Sequence, residues 1–98
     1  MSVWSVYILR CDKKYLYTGI STDVARRVGE HCSQDKKAAK YTRSFSFIEL
    51  VYEVLIGSRS LATKIEYRIK RLPRQKKEFI VSRSFKRDEL LEFINVEQ

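Results

Sequence analysis

Tyr7, Tyr17, Arg27 and His31 are the side chains of this sequence whose types and spacing suggest chemistry. The two tyrosines sit ten residues apart, in runs that read as strands joined by a short turn. Arg27 follows ten residues after Tyr17, and His31 comes one helical turn later. Phenol hydroxyls, a permanent cation and an imidazole brought to one place would make an active site. The rest of the chain must then hold that site in place.

The elements that would position these groups follow from the hydrophobic pattern. Val3 to Arg10 is apolar on both alternating faces, as in a strand covered on two sides. Asp12-Lys13-Lys14 makes a turn without glycine, and Tyr15 to Ile20 forms a second strand with Tyr15, Tyr17 and Gly19 on one face. Gly19 leaves bare backbone beside Tyr17, where a ligand or another chain can approach. Ser21, Thr22 or Asp23 can cap a helix running to about Cys32, with Val24, Ala25, Val28 and Cys32 as its apolar stripe. On that helix His31 projects almost onto Val24, Arg27 sits on the shoulder of the stripe, and Arg26 points to solvent. The polar, basic run Gln34 to Arg43 reads as a loop.

Ser46 to Val54 reads as a third strand, with Ile48, Leu50, Tyr52 and Val54 on one face and Phe47, Glu49, Val51 and Glu53 on the other. Gly57-Ser58 breaks it. A second helix runs from about Ser60 to Leu72, buries Leu61, Ile65, Ile69 and Leu72, and stops at Pro73. Glu66 lies on the shoulder of that stripe, against Ala62 and Ile69. Arg74 to Val81 and a segment capped by Ser84 can add further short helices. The order β-β-α-β-α-α points to an α+β fold, a small three-stranded antiparallel sheet flanked by helices.

Ninety-eight residues leave room for one core, so residues 1–98 are expected to be a single domain. No apolar run approaches the roughly 20 residues that span a bilayer, and the N-terminus lacks a signal-peptide pattern. The expected location is the cytoplasm, with no membrane partner. Twenty Lys and Arg against twelve Asp and Glu give a charge of +8, which favours a polyanionic partner through counterion release. Cys11 and Cys32 lie outside any CxxC pair and have too few companions for zinc, so both are expected in the core.

Ser5-Val6-Tyr7 and Tyr17-Thr18-Gly19 resemble the paired motifs of the GIY-YIG endonuclease superfamily, with Ser5 and Val6 replacing the Gly and Ile of the first. The match continues through Arg27, His31, the segment Ala39-Lys40-Tyr41-Thr42-Arg43 and Glu66 on a later helix. The likeness is to small, stand-alone bacterial members. It implies a metal-dependent endonuclease that hydrolyses phosphodiester bonds in DNA, in repair or processing and with selectivity for structure. Glu66 would bind one Mg²⁺, or another divalent cation such as Mn²⁺. Arg27 would hold the scissile phosphate. Tyr7 or Tyr17 would position and deprotonate the water, and His31 would orient Tyr7 or accept the proton itself.

Lys36, Lys37, Lys40, Thr42, Arg43 and Lys70 are the expected nucleic-acid contacts. A second basic cluster, Lys70, Arg71, Arg74, Lys76 and Lys77, surrounds Pro73. DNA is the expected partner, with RNA open because no base-reading element is visible. A protein partner can supply specificity that a bare catalytic module lacks. Each residue also has a plainer reading: the tyrosines as strand aromatics, Glu66 as the i,i+4 partner of Lys70, His31 as a core histidine, Arg27 as a snorkelling side chain. The contrasting function is a non-catalytic nucleic-acid-binding module that keeps the nuclease fold.

Overall fold

β1 (Trp4–Cys11) is the strand on which the rest is built. It runs between β2 (Tyr15–Ser21) and β3 (Ile48–Gly57), antiparallel to both, in the order β2-β1-β3. α1 (Val24–Cys32) follows β2, and α2 (Arg59–Lys70), α3 (Arg74–Arg83) and α4 (Arg87–Phe93) follow β3. The computed structural model describes residues 2–32 and 45–96. The expected loop from Gln34 to Arg43, with Lys36, Lys37, Lys40, Thr42 and Arg43, lies outside the described residues. The α+β architecture is the one the pattern predicts. None of the described helices is long and apolar enough to cross a membrane.

The two-sided apolar pattern of β1 has a direct structural counterpart. Val6 and Ile8 face α2, α3 and α4, and are fully buried against Ala62, Ile65, Ile69, Ile80 and Leu90. Tyr7, Leu9 and Cys11 face the other way and pack with Val24 of α1. One strand thus serves two cores. Each fully buried aliphatic side chain in them contributes roughly 1.5–3 kcal/mol.

The turn after β1 works without glycine because Asp12 and Lys13 take left-handed backbone, at φ 50° and 62°. Asp tolerates that region better than most residues. The Asp12 carboxylate also accepts from the Ser46 and Phe47 N–H groups, at 3.0 and 2.7 Å, which ties the turn to the approach to β3. On the far face of β1, Arg10 grips Glu78 of α3 with two parallel bonds of 2.8 Å each.

β3 departs from the expected alternation. Ile8 pairs with Tyr52 but Leu9 pairs with Leu50, so Val51 is an extra residue in a β-bulge. The bulge reverses the faces. Ile48 and Leu50 lie on the Leu9 side, while Tyr52 and Val54 lie on the Ile8 side, and the four do not share one face. The strand also runs on to Gly57, where Ile56 enters the core.

Two helix ends differ as well. Ser84 does not cap α4; it closes α3 in left-handed backbone at φ 48°. α4 starts instead at Lys86, whose N–H donates to the Glu89 carboxylate at 3.0 Å. The start of α2 is Ser58, whose hydroxyl accepts from the Leu61 N–H at 3.1 Å.

Candidate active site

Four elements converge on one place. β1 carries Tyr7, β2 carries Tyr17, α1 carries Arg27 and His31, and α2 carries Glu66 and Lys70. Tyr7 pairs with Gly19 and Leu9 with Tyr17 across β1 and β2, which puts both tyrosines on the α1 face of the sheet. The expected sharing of a face by Tyr15, Tyr17 and Gly19 is present.

Gly19 has a different use from the one its bare backbone suggests. A Cβ there would meet the Tyr7 hydroxyl oxygen at 2.5 Å and the ring carbon bearing it at 2.6 Å. The bare backbone at Gly19 makes room for the phenol of Tyr7, its partner across the sheet.

α1 is set by Asp23, whose carboxylate accepts from the Arg26 N–H at 3.1 Å. Its buried line is Val24 and His31, with Val28 partly covered; Ala25 and Cys32 are exposed, against expectation. The reason lies in the helical period. Position 31 returns to within about 20° of Val24, whereas position 32 lies about 80° away. His31 therefore takes the core place, and Cys32 donates instead to the Ile48 carbonyl at 3.6 Å near the start of β3. Cys11 is buried, as expected, and burial pushes its thiol up to about 11.

Tyr7 and His31 form a buried pair, with the hydroxyl 3.1 Å from Nε2. Burial, reinforced by the Arg27 charge and opposed by Glu30, pushes the imidazole down to about 4. Burial and the nearby Tyr17 push the Tyr7 phenol up to about 12, while Arg27 pulls it back by charge and hydrogen bonding, and Glu66 raises it further. Both members are therefore uncharged at neutral pH. The Tyr17 ring packs edge-on to His31, with centroids 5.3 Å apart, and lies 6.5 Å from the Tyr7 ring.

The two neighbouring arginines separate as the helical projection predicts. Arg27 has 24% of its side chain exposed, against 57% for Arg26. Arg27 Nη1 donates to Glu30 Oε1 at 2.9 Å, and Arg26 Nη1 donates to the other oxygen at 3.0 Å. Glu30 is a site neighbour that reading the sequence missed. Its signal was the spacing of three from Arg27 and four from Arg26, the reach of ion pairs along a helix.

Glu66 sits on the partly covered shoulder of α2, paired with Lys70 at 3.3 Å. That pair is the plain i,i+4 arrangement, yet it stands over the site: Lys70 Nζ is 5.7 Å from the centre of the Tyr17 ring. An open cleft of about 350 Å³, lined by Leu16, Tyr17, Thr18, Lys70 and Lys77, borders it. Lys77 joins the cleft from α3, and no helical period links it to Lys70 because Pro73 separates the two helices.

Among the described residues, no three His, Cys, Asp or Glu side chains gather as a metal cage. Glu66 is a single, part-exposed carboxylate whose held cation is one surface lysine. That donor set fits Mg²⁺, which keeps several waters and takes one or two carboxylates with phosphate oxygens.

Comparison with known proteins places the chain in a family. A family model described as the GIY-YIG catalytic domain matches residues 3–78. A UPF0213 protein of Yersinia pestis (strain Pestoides F) is 48% identical over 80 residues, covering 82% of each chain. A UPF0213 protein of Yersinia pseudotuberculosis serotype O:1b (strain IP 31758) matches to the same extent, 48% over 80 residues and 82% of each chain. The solution NMR structure of a UPF0213 protein from Bacillus halodurans is 38% identical and superposes with a TM-score of 0.54, covering 97% of this chain and 99% of that one.

Proposed function

The chain belongs to the GIY-YIG family of nuclease domains, and on that premise we propose that it is an endonuclease hydrolysing phosphodiester bonds in DNA with a divalent cation, Mg²⁺ or Mn²⁺. The observation that carries this reading is the convergence of Tyr7, Tyr17, Arg27 and Glu66 from four separate elements. Its setting is DNA repair or processing in the cytoplasm, with selectivity for DNA structure or a protein partner supplying specificity.

Glu66 would hold the cation, which when bound supplies a Lewis acid at the phosphate and stabilises the leaving oxygen. The pairing of Glu66 with Lys70 is of a kind worth only about 0.3–0.5 kcal/mol, so the carboxylate is readily given up to a ligand. Arg27 binds the scissile phosphate through its planar fork, and its bond to Glu30 fixes the direction in which the fork points. Tyr17, part-exposed at the cleft, orients the attacking water and takes the proton that the water gives up as it bonds to phosphorus. Tyr7 faces the same point from the buried side with its proton retained, and His31 fixes the direction of its hydroxyl. Lys70 and Lys77 contact flanking phosphates along the cleft.

The test is nicking of plasmid and branched DNA, with and without Mg²⁺, by the wild type and by Glu66→Ala and Tyr17→Phe. The expected result is Mg²⁺-dependent cleavage lost in both variants. Undiminished cleavage in either variant would overturn the assignment. Salt-dependent binding with no cleavage by any form would favour the non-catalytic module.

A further inference from the structure

The outer face of α2, turned away from the sheet, carries Lys64, Tyr67, Arg68 and Arg71, and all four are exposed. Spacings of three, four and seven place them in one stripe. Tyr67 is 58% exposed, and the Arg71 guanidinium lies over its ring at 5.4 Å. Among the described residues, no carboxylate pairs with Lys64, Arg68 or Arg71. Glu66, the one acid in the helix, is held by Lys70 on the shoulder that faces Tyr17.

Within the free protein, among the described residues, the stripe gains only the Arg71–Tyr67 stacking and the favourable place of Arg68 in the last turn of the helix. Like charges one turn apart repel and disfavour the helix, and no acidic residue occupies its first turn to complement the dipole. A large exposed aromatic with an arginine stacked on it has the composition of a contact surface. The stripe also adjoins the site: Tyr67 follows Glu66 and Arg71 follows Lys70, one step of about 100° around the helix in each case.

We propose that this stripe is a docking surface for the phosphate backbone of a nucleic-acid duplex. The inference rests on the nucleic-acid reading of the neighbouring site. Charge complementarity selects the polyanion, and shape selects the duplex. From Lys64 to Arg71 the helix rises about 10 Å, a length over which duplex DNA presents roughly six phosphate charges. The outer face of a helix is convex, whereas single strands are held in basic grooves with stacked bases. The stripe supplies orientation and affinity, and the shoulder beside it supplies chemistry.

The experiment measures binding of a labelled DNA duplex to the full chain in the presence of a chelator, across a salt titration. A stripe variant (Lys64→Gln, Arg68→Gln, Arg71→Gln) is compared with a control of equal charge loss in the β1–β2 turn, at the end of α3 and at the start of α4 (Lys13→Gln, Arg83→Gln, Lys86→Gln). Unfolding midpoints confirm that both fold. The stripe variant is expected to bind about ten-fold or more weakly near 100 mM salt, with the slope of log K against log salt reduced by about 2 to 3. The control is expected to keep the wild-type slope. Equal slopes for wild type and stripe variant would overturn the surface while leaving the site reading intact. An equal loss in the control, or a loss confined to single-stranded DNA, would also overturn it. A wild type without salt-dependent duplex binding would overturn the surface together with the reading on which it rests.

Discussion

Tyr7 occupies the volume that a side chain at Gly19 would need, its hydroxyl oxygen only 2.5 Å from where a Cβ would stand. The ring is fully buried and bonded to His31, so it has no free end to swing aside. Gly19→Ala is therefore expected to destabilise the fold by about 1–3 kcal/mol, the usual cost of overpacking. DNA cleavage should fall with it, because the displaced phenol is part of the proposed site. Urea unfolding midpoints and nicking assays on one preparation check both halves. An unchanged midpoint would mean that the Tyr7 ring has room to move.

Glu66 offers the opposite separation of stability from activity. Its bond to Lys70 joins side chains that are 21% and 50% exposed, a pairing of little net worth. Glu66→Gln should shift stability by no more than about 0.5 kcal/mol, while Mg²⁺-dependent cleavage is lost. A thermal melt beside a cleavage assay tests this. Cleavage that persists would remove Glu66 from the proposed metal site.

His31 makes the fold sensitive to acid. Its imidazole is held down to about 4 from an ordinary 6.5, mainly by burial and then by the Arg27 charge, with Glu30 opposing. Between those values the unfolded chain binds more protons than the folded one, so stability falls as pH drops from about 6.5 towards 4. The loss attributable to this one residue should reach about 2 kcal/mol by pH 5. His31→Gln should start less stable near neutrality and lose less between neutral pH and about pH 5. Equal losses in the two proteins would show that other groups set the acid sensitivity.

The Arg10–Glu78 pair clamps β1 to α3 on the face of the sheet opposite the tyrosines. Its two bonds of 2.8 Å join side chains that are 22% and 34% exposed. The Arg10 guanidinium holds the Glu78 carboxyl below the usual carboxylate range, so its contribution is present above the ordinary value and is lost as pH falls through the lowered one. Glu78→Gln is expected to cost about 1–2 kcal/mol without altering DNA cleavage at neutral pH. The unfolding midpoint and a nicking rate, measured well below the melting range, decide it.

The sequence was most legible where a single element governs the outcome. The period of one helix separates Arg27 from Arg26, and the period of one strand places Tyr17 with Gly19. Misreadings arose where two elements decide together. Gly19 read as an open approach because nothing in the sequence shows that Tyr7 is its direct partner across the sheet. The bulge at Val51 was hidden because β3 is apolar at Leu50, Val51 and Tyr52 alike, leaving no break in alternation. Ser84 carries the side chain of a helix start, but its backbone is left-handed and its N–H closes α3 on the Ile80 carbonyl, a choice of backbone region that the residue type does not reveal.

The bulge at Val51 also gives β3 something like a reading frame. Upstream of it, Ile48 and Leu50 are in phase with the layer that holds the tyrosines; downstream, Tyr52 and Val54 are in phase with the layer beneath α2. Substitutions at single positions leave that phase alone. Loss of Val51 itself would restore regular pairing with Leu50 still opposite Leu9 and Tyr52 still opposite Ile8, whereas loss of a neighbouring residue would send the part of the strand beyond it to the wrong layer. The strand can thus spare its bulge residue and no other, so the phase that sets the layer of the tyrosines is kept by the paired residues on either side of it.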